Sequence, residues 1–336
     1  MWNTNCVPRV VLCLAAALTL PAAAQTGGTG IKIAMVAKSE ANFVFQAARL
    51  GAEAAAADLA QKGTKVEIAW MTPPQEDAAA QSERIGRAVS QGASAILVAC
   101  SDLKLLTQAI DAAVDKGVPV MTFDSDAPAS KRFAFYGTDD GQLGEQLMAD
   151  LAEMMGKKGK LAILAGNPEA PNLKAREAAV RRAAAKYPGV EVVETVHHKE
   201  TPPEATASIL RVNAARPDLA GWALVGGWPL FRSSLSLKLV EDLQRRGLKV
   251  VSADALPDQL AYVDKGLVGV LWAQPVYLWG KVGVETIVQK LQGKKDIPAK
   301  LRMELVRVTG ANLGTWARQL QTWGFTGISE EYLKRP

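Results

Sequence analysis

Histidine and cysteine are both scarce in this sequence of 336 residues, which contains two His and three Cys. His197 and His198 are adjacent, and adjacent side chains on a strand point to opposite faces, so they do not form a metal-ligating pair. Cys6 and Cys13 lie in the N-terminal segment, while Cys100 ends an apolar run, which favours a small buried side chain over a reactive thiol. We therefore expect neither a metal site nor an internal disulfide beyond that segment.

Motifs that bind nucleotides or Ca²⁺ are also missing. The sequence has no phosphate-binding loop and no G-x-G-x-x-G, and the glycines of segment 137–144 have the wrong spacing for a dinucleotide fingerprint. Asp124 and Asp126 do not continue into an EF-hand pattern. Two adjacent histidines also give no Ser–His–Asp or Cys–His arrangement. These absences predict a protein without a cofactor and argue against an enzyme.

No long run of like charge occurs, although Lys and Arg total 39 against 34 Asp and Glu, and the formal net charge is +5. Scattered basic residues favour a solvated surface over a nucleic-acid-binding patch, so we expect no nucleic-acid partner. Hydrophobic residues make up 49% of the chain, which is enough for a large core. The length suggests two domains.

Residues 1–24 have the pattern of a secretory signal peptide. Arg9 precedes the apolar run 10–20, and small residues follow up to Ala24. The apolar run is shorter than the ~18 residues expected of a membrane-spanning helix, so a retained anchor is the weaker alternative. We expect cleavage after Ala24 and export to a bacterial periplasm.

Short β-rich runs alternate with longer Ala-rich helical runs from residue 31 onwards. Strands are predicted at 31–37, 65–70, 95–99, 118–123, 133–136, 160–164, 190–196, 221–225, 249–253 and 268–273. Helices are predicted at 44–61, 78–91, 103–116, 142–155, 173–186, 204–215, 231–246, 259–265 and 278–291. This alternation indicates an α/β fold with parallel, doubly wound sheets. Glycines at the predicted helix ends fit left-handed C-caps; these are Gly63, Gly92, Gly117 and Gly247.

Two segments repeat one plan, in which a helix-ending Gly is followed by an apolar strand and then by Asp. They are 117–124 and 247–254, and they place Asp124 and Asp254 seven residues after the glycine. The repeat suggests two similar halves, each with a carboxylate at the C-terminal end of a strand. In open α/β sheets, ligands bind beyond those ends. The alternative role of either aspartate is a helix or turn cap.

An arginine and several aromatic and amide side chains lie near strand-to-helix junctions. Arg176 stands in the first turn of a predicted helix, where it opposes the helix dipole, which favours an external oxygen acceptor. The alternative is a pair with Glu177 or another surface acid. Phe43, Phe45 and Trp228 can stack on the weakly apolar C–H face of a sugar, although core packing is the alternative. The amides Asn42 and Gln274 each offer a donor and an acceptor, or serve as loop caps.

With these residues in this order, the chain resembles the ribose- and galactose-binding group of periplasmic solute-binding proteins, which shares its fold with lactose-repressor-type ligand domains. The resemblance runs from Ile31 to about Val308. It implies a type I periplasmic binding protein with two Rossmann-like lobes joined by a three-strand hinge. The implied ligand-binding residues are Asn42, Phe43, Phe45, Asp124, Arg176, Trp228, Asp254 and Gln274.

The same resemblance implies that each lobe is non-contiguous. The N-terminal lobe would comprise 31–136 plus 275–304, and the C-terminal lobe 137–274 plus 305–336. Hinge segments are expected near 136–138, 273–275 and 304–306. The tail after Val308 extends beyond shorter family members, and we expect it to pack as a helix on the second lobe.

Five positions depart from the pattern of the family and make ribose itself a less fitting ligand. Phe43 replaces a frequent Pro, Ser125 a common Arg, and Asp140 a usual Asn, while Trp228-Pro229 stands where ribose binders often have Asn-Asp.

The resemblance implies a monomeric receptor that delivers a small neutral sugar or polyol to the permease of an ABC importer, by closure of the lobes around the ligand. The alternative output is a chemoreceptor or a sensor kinase. A secreted carbohydrate-active enzyme fits less well, because nothing beyond paired carboxylates assembles a reaction. A DNA-binding regulator of the same fold would need an N-terminal helix-turn-helix, where this sequence has the export signal.

Overall fold

The structure is a computed structural model that describes residues 1–2 and 30–335. The predicted cleavage site after Ala24, together with Cys6 and Cys13, lies outside the described residues. Within the described part, no helix has both the length and the apolar composition needed to cross a membrane.

Two six-stranded sheets organise the chain. The first contains β1 (Ile31–Val36), β2 (Val66–Trp70), β3 (Ala95–Val98), β4 (Val120–Phe123), β5 (Ala134–Gly137) and β11 (Lys300–Arg302), in the order β11-β5-β4-β3-β1-β2. The second contains β6 (Lys158–Ala165), β7 (Gly189–His197), β8 (Leu219–Leu224), β9 (Lys249–Ala253), β10 (Val270–Ala273) and β12 (Val306–Val308), in the order β12-β10-β9-β8-β6-β7. All neighbours are parallel except β12, which runs antiparallel to β10.

Helices cover both faces of each sheet, so strands such as β3, β4 and β5 are buried along their whole length. The helices are α1 (Phe43–Gln61), α2 (Ala78–Ser90), α3 (Leu103–Asp115), α4 (Asp140–Met154), α5 (Pro171–Ala184), α6 (Pro202–Ala215), α7 (Ser236–Arg246), α8 (Pro257–Asp264), α9 (Tyr277–Leu291), α10 (Leu313–Thr322) and α11 (Glu330–Leu333). Each sheet with its helices forms one lobe. The predicted fold of two doubly wound α/β lobes is confirmed.

The chain passes from one lobe to the other three times. After β5 it enters α4, which packs on the second sheet; after β10 it enters α9, which packs on the first; and β11 leads directly to β12. The three crossovers therefore lie at 138–139, 274–276 and 303–305. This arrangement is the three-strand connection expected from the sequence.

Three local features differ from the sequence prediction or complete it. Helix α7 begins at Ser236 and not at Phe231, because residues Trp228–Leu230 form a 3₁₀ turn and Phe231 is extended. Strands β11 and β12 were not predicted, since three residues are too few to show a periodic pattern. The predicted helix-ending glycines all have positive φ, between +63° and +84°.

The tail after β12 packs on the core of the second lobe. Leu313, Ala317 and Leu320 of α10 belong to the same apolar core as β8 and β9. A short loop then leads to α11, in which Tyr332 is buried against that core.

Close packing between α1 and α9 depends on a glycine that can be tested. A Cβ at Gly280 would lie 1.8 Å from the carbonyl oxygen of Ala48. We expect Gly280→Ala to lower the free energy of unfolding by ~1–3 kcal/mol through overpacking, as measured by urea denaturation. The control is Gly86→Ala on α2, where a Cβ meets nothing within 4 Å and is expected to stabilise by up to ~1 kcal/mol. Equal effects of the two changes would contradict this account of the helix contact.

Candidate functional site

The C-terminal ends of the central strands of both sheets face one cavity of about 20 Å³ between the lobes. Seven of the eight side chains proposed from the sequence line it, namely Asn42, Phe45, Asp124, Arg176, Trp228, Asp254 and Gln274. The first lobe contributes the first three, the second lobe the next three, and Gln274 lies on a crossover between them. Residues that are up to 232 positions apart in the chain are thus brought to one place.

Phe43 lies outside this cavity. Its side chain is 45% exposed and contacts Phe231 of the second lobe, with the ring centroids 4.9 Å apart. Phe43 and Phe45 both belong to the first turn of α1, and helix positions two residues apart do not face the same side. Because Phe45 faces the cavity, Phe43 cannot, and its proposed place among the ligand-binding residues has no support in this geometry.

The two aspartates of the repeated segments adopt the same uncommon backbone conformation. Asp124 has φ +56° and Asp254 has φ +67°, in the left-handed region that few residues other than glycine occupy. Each backbone N–H donates to the strand beside it, to the carbonyl of Tyr136 at 3.2 Å and to that of Trp272 at 2.9 Å. Strained residues of this kind cluster at functional sites, where the strain directs the side chain. Both carboxylates are 5% exposed.

Arg176 is buried at the centre of a hydrogen-bonded group. Its guanidinium donates to Asp140 Oδ1 (2.8 Å), to the carbonyl oxygen of Val225 (3.0 Å) and to Gln274 Oε1 (2.8 Å). Burial lowers the pKa of Arg176, but the carboxylates of Asp140 and Asp124 raise it above its usual value, so the group is cationic.

Two helices hold Arg176 in this position. Helix α5, which carries it, packs closely on α4, where a Cβ at Gly144 would lie 2.4 Å from the carbonyl oxygen of Arg176.

Burial also affects Asp140, the carboxylate partner of Arg176. It raises the pKa of the Asp140 carboxyl to about 6, against the opposing effect of the guanidinium.

Gln274 links the site to two of the crossovers. Its Oε1 also accepts from the hydroxyl of Thr138 at 3.0 Å, and its Nε2 donates to Asp254 Oδ1 at 2.9 Å. The other oxygen of Asp254 accepts from the backbone N–H of Gly227 at 3.1 Å. The amide therefore connects the first crossover, the second crossover and the second-lobe carboxylate.

A lysine that was not proposed from the sequence connects the two lobes across the cavity. The Nζ atom of Lys38 donates to Asn172 Oδ1 at 3.0 Å and lies 3.5 Å from Asp124 Oδ2. Asn172 in turn donates from Nδ2 to Asp124 Oδ1 at 3.0 Å. Burial lowers the pKa of Lys38, but Asp124 and Glu200 raise it above its usual value. Lys38 lies two residues after β1, and Asn172 lies in the first turn of α5, the helix that follows β6. The rule that ligands bind beyond strand ends could have found both.

Residues 33–295 match the family model described as a periplasmic binding protein domain, which covers more than half of the chain. This chain belongs to the periplasmic binding protein family. The resemblance to its ribose- and galactose-binding group is confirmed.

Three relatives illustrate the similarity. The ribose import binding protein RbsB of Bacillus subtilis (strain 168) is 25% identical over 249 residues, which are 73% of this chain and 78% of the relative. The structure of an ABC transporter solute-binding protein from Burkholderia graminis C4D1M, in complex with D-arabinose, has a TM-score of 0.74 and 27% identity, covering 84% of this chain and 96% of the other. A solute-binding protein from Agrobacterium vitis, bound with alpha-D-tagatopyranose, has a TM-score of 0.73 and 25% identity over 84% and 96% of the two chains.

Glu200 is a further lining residue of this periplasmic binding protein that the sequence did not reveal. It follows β7, is 9% exposed, and accepts a single hydrogen bond, from the backbone N–H of Asn167 at 3.3 Å. Burial, followed by the nearby carboxylate of Glu76, raises the pKa of Glu200 to about 8. Glu200 is therefore mainly protonated at neutral pH. The lining then carries two cations, Lys38 and Arg176, and the aspartates Asp124 and Asp254, while Asp140 pairs with Arg176 from outside the cavity.

The raised pKa of Glu200 predicts a pH dependence of stability. The folded state holds this proton up to about pH 8, whereas the unfolded state releases it near 4.5, so folding loses free energy as the pH rises between these values. Relative to Glu200→Gln, the wild type should lose roughly 2–4 kcal/mol of unfolding free energy across that range. Urea denaturation at several pH values measures this loss. The control is Glu191→Gln, an exposed change on β7, whose unfolding free energy should depend on pH as that of the wild type does. If Glu200→Gln showed the same pH dependence as the wild type, the raised pKa would not belong to Glu200.

Trp279 forms part of the aromatic wall of the cavity. It is 1% exposed and packs with Phe45 and Phe123, at centroid distances of 6.3 and 6.0 Å. Its indole Nε1 has no hydrogen-bond partner among the described residues. A buried donor without a partner is costly, and a ligand oxygen would remove that cost. No sequence pattern distinguishes this tryptophan from a core residue.

Two equivalent substitutions can separate the role of Trp279 from that of a core tryptophan. Trp279→Phe removes a donor that has no partner, whereas Trp222→Phe removes one that bonds Asn213 Oδ1 at 2.9 Å. Both tryptophans are buried, so the loss of ring volume is similar. We expect Trp222→Phe to cost ~1–2 kcal/mol more unfolding free energy than Trp279→Phe in urea denaturation. A larger cost at Trp279 would show that its N–H is satisfied within the protein.

Proposed function

We propose that this protein is the periplasmic solute-binding component of an ABC importer and that it binds a monosaccharide or a related polyol between its lobes. The proposal depends on one observation above all: Asp124 and Asp254, from different lobes, line the same cavity. Family membership and relatives whose names or structures concern ribose, D-arabinose and tagatopyranose support it. We further propose that the chain acts as a monomer, after removal of the signal peptide.

The cavity has a polar side and an aromatic side, which suits a sugar ring. The carboxylates of Asp124 and Asp254 can accept hydrogen bonds from hydroxyl groups, and Lys38 can donate to hydroxyl oxygens. Phe45 and Trp228 offer apolar surface for the C–H faces of the ring. Because the charges of the lining residues balance, a neutral ligand fits better than an anion or a cation.

Binding requires the lobes to separate and then to close again. A cavity of about 20 Å³ has room for roughly one water molecule, so a sugar cannot enter or fit without movement at the three crossovers. The polar contacts that cross the cavity, from Lys38 and Asp124 to Asn172, would then be exchanged for contacts with the ligand. A ligand that bridges both lobes shifts the population towards the closed form, which the permease can recognise.

Binding without catalysis is the better account of the carboxylates. Asp254 accepts fixed hydrogen bonds from Gln274 and Gly227, and Asp124 accepts one from Asn172. Neither is therefore placed as a free acid or base. We propose that the protein releases its sugar unaltered.

The test of this function begins with a thermal-shift screen of D-arabinose, D-ribose, D-tagatose, D-galactose and xylitol, since a ligand of the folded state raises the melting temperature. The best compound is then titrated by calorimetry. We expect Asp124→Ala and Asp254→Ala each to weaken its binding at least about tenfold, because charge-assisted hydrogen bonds are lost. Asp296→Ala, an exposed change, serves as the control.

Two results would contradict the proposal. Unchanged affinity in Asp124→Ala or Asp254→Ala would remove that residue from the site. Chemical conversion of the bound sugar, detected after incubation, would favour an enzyme.

A further inference from the structure

The C-terminal tail lies outside the matched family domain and contacts both lobes. It follows β12 and contains Trp316, Trp323 and Phe325 within ten residues. Trp316 is 6% exposed and belongs to the core of the second lobe. Phe325 packs against the cores of both lobes. Simple attachment to the second lobe does not account for these contacts.

Trp316 holds the loop that carries the second-lobe carboxylate. Its indole Nε1 donates to the carbonyl oxygen of Ala255 at 2.7 Å, directly after the strained residue Asp254. In the first lobe the corresponding carbonyl, that of Ser125, accepts from the backbone N–H of Cys100 at 3.1 Å. The tail thus provides, for the residue after Asp254, the donor that the segment following β3 provides for the residue after Asp124.

The loop after β8 makes a different contact from the corresponding loop of the first lobe. Its Gly227 N–H donates to the side chain of Asp254 at 3.1 Å. That loop binds the carboxylate, and the tail binds the carbonyl that follows it.

Trp323 extends this contact to the first lobe. It meets Trp316 edge to face, with centroids 5.7 Å apart at 86°, and stacks flat on Tyr277, at 5.3 Å and 9°. Tyr277 is the first residue of α9, three positions after Gln274. An aromatic series therefore runs from the Asp254 loop, through the tail, to the first lobe beside the second crossover.

A groove next to this series brings the two lobes together by apolar contacts. Phe43 of α1, Phe231 and Leu256 of the second lobe, and Phe325 of the tail all line it. Phe231 and Leu256 belong by sequence to the second lobe but pack in the core of the first. The position of Phe43, outside the central cavity, is thereby explained.

We propose that the C-terminal tail is a strap that positions the Asp254 loop through Trp316 and stabilises the closed arrangement of the lobes through Trp323. The contribution to affinity rests on the proposed sugar-binding function. Contacts that exist only when the lobes are together favour closure, and a ligand that binds the closed form then binds more tightly. Trp316 acts here as a positioning residue.

The strap is tested in the full-length mature chain. Trp323→Ala and Tyr277→Ala remove the stack on the first lobe, and Trp316→Phe removes the indole donor while keeping a ring. Tyr277→Phe keeps the stack, and Gln321→Ala changes an exposed residue of α10; both are controls. We measure dissociation constants by calorimetry with D-arabinose or whichever compound of the screen binds the wild type, and the radius of gyration without sugar by X-ray scattering.

We expect Trp323→Ala, Tyr277→Ala and Trp316→Phe to weaken binding about fivefold, which equals ~1 kcal/mol at about 1.4 kcal/mol per decade. The two stack variants should also show a larger radius of gyration, whereas Tyr277→Phe and Gln321→Ala should match the wild type. A merely structural tail would lower the melting temperature and leave the dissociation constants within twofold of the wild type, which would overturn the strap.

Failure of the strap and failure of the proposed function give different results. If the wild type binds no compound of the screen, the sugar-binding proposal is refuted. The radius of gyration of the stack variants, compared with that of the wild type, still tests whether the tail stabilises the closed lobes. An unchanged radius in Trp323→Ala and Tyr277→Ala then refutes the strap. If Trp323→Ala does not fold, Tyr277→Ala gives the same scattering comparison, and Trp316→Phe still tests the positioning of the Asp254 loop through its dissociation constant.

Discussion

The arrangement of the cavity depends on the hydrogen bonds of one buried cation, Arg176. A charge that is withdrawn from water must be paired and hydrogen-bonded, and Arg176 meets this requirement with partners from distant parts of the chain. Asp140 follows the first crossover, Val225 comes directly after β8 of the second lobe, and Gln274 lies on the second crossover. The need to solvate one guanidinium with protein atoms therefore fixes two crossovers and one strand end relative to each other.

Much of this arrangement could be predicted from the sequence, because it follows from local rules. Strands buried on both faces produce continuous apolar runs, and glycines such as Gly117 and Gly247 mark the helix ends before them. Once the strands are placed, the position of Asp124 and Asp254 at their C-terminal ends makes both aspartates candidates. The same logic applied to Lys38 would have added it to the candidate site.

Other features depend on contacts between distant residues, which no local pattern contains. The sequence makes Phe43 and Phe45 equally plausible ligand-binding residues, and only the orientation of the first turn of α1 distinguishes them. Trp279 lies on an amphipathic helix and differs from a core residue only in its unpaired indole donor. The sequence predicts that Phe231 begins a helix, whereas in the structure it follows a 3₁₀ turn, is extended and contacts Phe43 of the other lobe. In each case tertiary packing decides between local alternatives of similar energy.

The bridge from Lys38 to Asn172 and Asp124 also affects how strongly the site discriminates between a sugar and its epimers. Under the proposed sugar-binding function, a ligand that enters the cavity has to break this bridge, so each of the three side chains needs a replacement partner on the sugar. An epimer that presents a hydrogen atom where a hydroxyl is needed loses one hydrogen bond to the protein. It also leaves a charged or amide group buried without a partner. The difference in affinity between stereoisomers is therefore larger than the net strength of one hydrogen bond suggests, because an unpaired buried polar group costs more free energy than one hydrogen bond contributes.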